Sequence, residues 1–219
     1  MMRQKTRYKL ITLLLIVVFF SSCLGVSADI SLNQNGSGTI VLEYRINRAL
    51  DALGRLDGNA RWNTIPVGRS DFERTLDRLP EMRLISFSSN EDEKNLIIQV
   101  TMGFDSLQGL MAFFDASGLR SSFTGSGHSG NITMRLTEGR AELNPALNKL
   151  IAEISGSYSV RMSMSFPGEG NLTITGTNGL PGKVIPGSEI RAQGRQVFFS
   201  IPLYEVLSSS EGITAIFSW

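Results

Sequence analysis

The sequence predicts an α+β fold, a mostly antiparallel sheet of about nine or ten strands with about four helices. Three observations support this. Apolar residues alternate at period two through most of the chain, the signature of strands with one buried face. A few segments switch to helical spacing, and these do not recur between strands in a βαβ order. The 219 residues are 42% hydrophobic and 19% charged, enough apolar material for one ordinary core and too little for a multi-pass membrane protein.

Strand patterning begins at Ile30 and Leu32, passes the turn-rich Asn33-Gln34-Asn35-Gly36-Ser37-Gly38, and resumes at Ile40, Leu42, Tyr44 and Ile46, a hairpin with one apolar face. Residues 47–57 have helical spacing, with Asn47 as a cap. Ser70-Asp71-Phe72-Glu73 has the spacing of a capping box, followed by an apolar stripe of Phe72, Leu76 and Leu79 that Pro80 stops. Strands are expected at 82–88 and 95–103 around an acidic turn, Asn90-Glu91-Asp92-Glu93, with Leu96, Ile98, Val100 and Met102 on one face. Ser106 caps a helix carrying Leu107, Leu110, Met111 and Phe114. Residues 119–130, rich in Gly and Ser, read as a mobile surface loop containing His128. Ile132, Met134 and Leu136 mark a strand, and Asn144-Pro145 opens a helix that ends at Gly156. Tyr158, Val160, Met162, Met164 and Phe166 form the clearest strand, and Pro167-Gly168-Glu169-Gly170 turns it into a partner bearing Leu172 and Ile174. The tail holds about three shorter strands, including 197–201 and 213–219, and its Gly and Pro content marks 181–219 as a candidate small lobe of one domain spanning 30–219.

The front of the chain is an address. Basic Met1–Lys9 precedes an apolar run, Leu10–Phe20, that is broken only by Thr12 and followed by Ser21-Ser22-Cys23. Eleven residues rise about 16 Å as a helix, roughly half of a hydrocarbon core, so residues 1–22 fit a signal peptide better than a span. The only cysteine follows two small residues at the end of that run. Phe20-Ser21-Ser22-Cys23 resembles a bacterial lipobox, in which the chain is cut between Ser22 and Cys23 and the cysteine receives a diacylglycerol and an N-acyl chain such as palmitate. An uncleaved anchor helix from Leu10 to about Val26 is the alternative. Residues 23–29 then read as the lipidated cysteine and a short tether reaching at most about 25 Å.

Three later features together resemble the LppM-type envelope lipoprotein domain: the exported cysteine followed by a strand at the Gly-Ser-Gly turn (Gly36 to Leu42), the helix, hairpin and short helix from Phe72 through Phe114, and Pro181-Gly182-Lys183-Val184 leading to an aromatic strand (Arg195 to Ile201). The resemblance implies a non-catalytic envelope lipoprotein with lipid or glycolipid binding as its activity.

Composition limits the chemistry. Four of the 21 basic residues (Arg3, Lys5, Arg7, Lys9) precede the apolar run, so 17 face the 20 acidic residues beyond it, a balance of about −3 that argues against a nucleic-acid partner. One cysteine and one histidine exclude a disulfide framework and a single-chain Cys/His zinc cluster. His128 lies in Thr124-Gly125-Ser126-Gly127-His128-Ser129-Gly130, a segment that reads as too pliant to hold a catalytic base. Glu91-Asp92-Glu93 reads as a solvated turn rather than a calcium site, and Gly36-Ser37-Gly38 joins strands instead of opening a phosphate-binding helix. No metal, no cofactor beyond the acyl chains and no enzymatic activity are expected.

Two features point to binding. Fourteen of the 17 later basic residues are arginine, the side chain that grips phosphate or carboxylate bidentately, although surface pairing and genomic composition account for the same bias. Phe104, Met111, Phe113, Phe114 and Phe123 concentrate large apolar groups around one short helix, either as core or as the lining of a lipid site. The expectation is therefore a domain held by lipid at a bacterial envelope membrane, on its periplasmic or surface face, that binds a lipid or glycolipid; the alternative is a scaffold or assembly factor that engages a protein partner and no small ligand.

Overall fold

The computed structural model describes residues 24–47, 68–93, 95–115, 120–139, 144–156, 158–176 and 185–219. In chain order the strands are β1 (Leu24–Leu32), β2 (Gly38–Asn47), β3 (Met82–Glu91), β4 (Asn95–Phe104), β5 (Ser121–Gly125), β6 (Gly130–Thr137), β7 (Ser159–Ser165), β8 (Asn171–Thr175), β9 (Glu189–Gln193), β10 (Gln196–Pro202) and β11 (Ile213–Ser218). The helices are α1 (Arg69–Leu76), α2 (Leu107–Phe114), α3 (Pro145–Ser155) and α4 (Leu203–Ser208). Seven strands form one sheet in the order β3-β4-β2-β1-β7-β10-β9, and four form a second in the order β5-β6-β11-β8. This is the α+β, mostly antiparallel fold that the alternation predicts. Among the described strands only β1 and β7 pair in parallel, from Val26 opposite Val160 to Ser31 opposite Ser165.

Directly opposed residues share a face, so the registers sort the larger sheet into two surfaces. Ile30, Ile40, Met102 and Met164 lie on the inner one, all essentially inaccessible. The smaller sheet covers part of that surface, with Ile132, Ala215 and Phe217 facing in, and the rings of Phe199 and Phe217 meet between the sheets at 6.2 Å. α1 closes another part: Phe72 packs 6.4 Å from the ring of Tyr44 and 5.8 Å from that of Phe87. The outer surface carries Asp29, Glu43, Arg45, Gln99, Arg161, Ser163 and Gln196, the polar half of the same alternation.

The strands depart from expectation where small residues hide the pattern. β1 begins at Leu24 rather than Ile30, so residues 24–29, read as a tether, are strand paired to β2 from Leu24 opposite Ile46 onward. Ala28 is buried there but weakly apolar, which masked the alternation. Within the segment read as a loop, Ser121–Gly125 is a strand paired with β6, its Phe123 opposite Ile132, and His128 occupies the tight turn between them. Gly and Ser had concealed one inward serine and one inward phenylalanine. The turn at Pro167–Gly170 does not make a hairpin. Both edges of β7 are taken by β1 and β10, so the chain crosses into the smaller sheet, where β8 pairs with β11.

The helices match in three cases. Ser106 caps α2 through its Oγ, which accepts from the Gly109 N–H at 3.1 Å, and Asn144 caps α3 by accepting from Ala146 N–H at 2.9 Å. α1 starts earlier than the Ser70 box predicts: Gly68 is the cap and the Asp71 carboxylate accepts its N–H at 3.0 Å, while Glu73 pairs with Arg69 at 2.8 Å. The helix expected at 47–57 lies, apart from Asn47, outside the described residues; Asn47 itself ends β2 opposite Asn95. α4 was not anticipated. Residues 189–218 contribute strands to both sheets, in the tail read as a candidate lobe.

Two positions test the packing. A Cβ on Gly38 would lie 2.0 Å from the Ser31 carbonyl oxygen and 2.4 Å from Cζ of Phe104, so Gly38→Ala is expected to cost about 2 kcal/mol or more in urea unfolding. The buried Tyr44 hydroxyl finds no hydrogen-bond partner among the described residues, and burial, then the Asp71 carboxylate, pushes its phenol above the ordinary range. The folded state therefore holds that proton more tightly than the unfolded chain. Stability from this group is intact below about pH 10 and is lost as pH rises beyond it. Tyr44→Phe should stabilise the protein by about 1 kcal/mol at neutral pH and flatten its alkaline decline, measured by unfolding the two proteins side by side.

Candidate functional site

Ser22 and Cys23, the predicted cleavage and lipidation residues, lie outside the described residues. The five apolar candidates are all described. Phe104 ends β4 at 0% exposure and Met111 sits on α2 at 6%. Phe113 and Phe114 follow on α2 with their rings edge to face at 5.7 Å, and Phe123 lies on β5; these three are half-buried against the same core. The Ser121 hydroxyl donates to the Met111 carbonyl at 3.3 Å and ties α2 to β5. The structure thus brings these five residues together as one edge of the core around α2.

A polar trough lies elsewhere, on the outer surface of the larger sheet. It encloses about 310 Å³ between Gly25, Val26 and Ser27 on β1, Glu43 and Arg45 on β2, Asn95 on β4, and Tyr158, Ser159 and Arg161 at the start of β7. Arg45 pairs with Glu43 at 3.2 Å, and the Arg161 Nε donates to the Ser159 hydroxyl at 2.9 Å. Tyr158 was expected at the head of the inward apolar set. It precedes β7 instead, its N–H donating to the Ser155 carbonyl and its own carbonyl accepting from Leu203 N–H, and its ring reaches the trough. The arginine excess was the only signal of this site in the sequence; which arginines share a face depends on the parallel register of β1 and β7, which no local pattern encodes.

Other cavities are shallower in chemical meaning. One of about 240 Å³ lies between the end of β8, α4 and Ser209–Gly212, and one of about 260 Å³ between Arg120, Arg135 and Val206. A broad recess of about 500 Å³ borders Trp219, whose ring stacks on Phe166 at 4.9 Å and whose indole N–H donates to the Gly127 carbonyl. That tryptophan closes the β5–β6 turn onto the β7–β8 turn. His128 is exposed at the first of these. Glu91 belongs to β3, Asp92 accepts from Asn95 N–H at 2.6 Å, and among the described residues no group of three or more Cys, His, Asp or Glu converges to hold a metal ion. No helix among the described residues is long and apolar enough to cross a membrane.

No protein-family model and no curated protein matches the chain. Among solved structures it is similar to the NMR structure of the folded domain of Mycobacterium tuberculosis LppM, at 15% sequence identity, over 90% of this chain and 89% of that one, with a TM-score of 0.46.

The positions around α2 separate by burial. Phe104→Ala is expected to cost about 3–5 kcal/mol and Phe113→Ala about 1–2 kcal/mol, read from urea midpoints. Equal costs would mean that Phe113 is as fully packed as Phe104.

Proposed function

We propose that the chain is a membrane-anchored bacterial envelope lipoprotein, acylated on Cys23, whose α+β domain works by binding a lipid or glycolipid rather than by catalysis. The observation that carries this reading is the position of β1. The residue after the lipobox cysteine is the first residue of a strand, and that strand is the middle one of seven. Acylation at Cys23 would leave no tether and hold the sheet against the headgroup layer. Two or three acyl chains, at about 0.8 kcal/mol per buried CH₂, make such attachment effectively permanent. The exposed arginines beside β1 supply the phosphate-gripping chemistry that lipid recognition needs.

A protein-partner scaffold is the second reading. Among the described residues the edge strands β3 and β9 carry the two large apolar side chains that stand exposed, Ile85 at 50% and Ile190 at 46%. Sheet edges are where a partner adds a strand.

Cys23→Ser should release the folded chain from the membrane fraction, while retention as an integral protein would refute the lipobox. Native mass spectrometry of the full wild-type chain, extracted in mild detergent, separates the two binding readings. A stoichiometric noncovalent lipid supports the first. A clean mass after incubation with envelope lipids moves the function to the scaffold.

A further inference from the structure

On the outer surface of the larger sheet, near the start of β1, small side chains on that central strand lie between a long pair on β2 and one arginine on β7. Gly25 and Ser27 on β1 lie opposite Arg45 and Glu43 on β2, and Ser27 also lies opposite Arg161 on β7. The small residues form a floor. Arg161 stands directly across Ser27 from Glu43, and Arg45 lies diagonally, two strand spacings over and two residues along, about 12 Å away, a gap that two arginine side chains can close onto one phosphate. Tyr158 bounds the floor at one end, its Cδ1 3.4 Å from where a Cβ on Gly25 would sit. Arg45 is bound to Glu43, the trough's carboxylate, but its side chain is 52% exposed and solvent-screened pairs of this kind exchange readily. Among the described residues Arg161 makes no ion pair; it is exposed and held only through Nε by Ser159.

Resting on the lipoprotein reading, we propose that this trough holds the phosphate of an anionic phospholipid headgroup in the same leaflet that anchors the chain, and so sets how the domain stands on the membrane. Gly25 is the second residue after Cys23, which places the trough at the end of β1 nearest the anchor. A cavity of about 310 Å³ with polar walls suits a headgroup rather than an acyl chain. The same end of the sheet carries Glu91, Asp92 and Glu93 at the β3–β4 turn, on the far side of β2 and β4 from β7. An anionic surface attracts one side of this edge and repels the other, so the domain tilts with its arginines down.

The test is arginine footprinting with phenylglyoxal on the full lipidated chain in nanodiscs, read by peptide mass spectrometry. In phosphatidylcholine doped with phosphatidylglycerol, modification of Arg45 and Arg161 should slow by about fivefold relative to phosphatidylcholine alone, while exposed Arg78 after α1 keeps its rate. Arg161→Gln should abolish the protection of Arg45, and Arg45→Gln that of Arg161. Equal slowing at Arg78 would reveal only diffuse surface charge and overturn the site. Protection by inorganic phosphate in plain phosphatidylcholine nanodiscs, to the same degree, would make the trough a soluble-anion site and overturn its assignment to lipid. Reactive arginines in a chain that still carries lipid by native mass spectrometry would refute the trough and leave the lipid-binding reading standing; reactive arginines and no bound lipid would refute both.

Discussion

The parallel pairing of β1 with β7 is the constraint on which the molecule depends. β1, β2, β4 and β3 pair antiparallel in that order, so the chain leaves β2 for the edge strand β3 and returns through β4, which fills the place between them. β7, β10 and β9 form a second antiparallel group that begins at Ser159, well after β4 ends at Phe104. The ladder from Val26–Val160 to Ser31–Ser165 is what makes one sheet of them. It also fixes which side chains of the two groups share a face, because a slip of one residue would send Met162 and Met164 outward and Arg161 and Ser163 into the core.

The two faces of that sheet are packed in different ways. Every methionine beyond residue 2 (Met82, Met102, Met111, Met134, Met162 and Met164) is buried, so unbranched, polarizable side chains that fit irregular gaps are spread among the branched and aromatic residues of the core. On the outer face Gly25 and Ser27 of β1 lie between Arg45 and Glu43 on β2 and Arg161 on β7. A groove arises there from strand order, closed at one end by Tyr158, which precedes β7.

Much of the fold was legible because long alternating runs leave little freedom. The inward set of β4, the β1–β2 turn and the caps at Ser106 and Asn144 all carry their signals within a few residues. What was hidden depended on distant strands. β5 looks like a flexible linker until Phe123 is seen opposite Ile132, and the start of β1 looks like tether until Ala28 is seen between Leu42 and Met162. The turn after Phe166 has hairpin composition, yet the occupied edges of β7 decide its path. The trough was illegible for the same reason: Arg45 and Arg161 are 116 positions apart in sequence and come to face each other diagonally across one strand. The apolar residues around α2 pack on the core, with Phe104 and Met111 facing inward from a strand and a helix in contact.

The central position of β1 also has a mechanical meaning. Any load applied to the chain before Leu24 enters the domain along that strand, flanked by β2 on one side and β7 on the other. Strand hydrogen bonds lie across the strand axis, so such a pull strains both ladders in shear and many bonds must fail together. An edge strand pulled the same way would load one ladder instead of two. The domain therefore meets traction through its N-terminus at its most resistant strand, and its lifetime under tension is governed by the barrier to breaking the whole sheet rather than by the fraying of a margin.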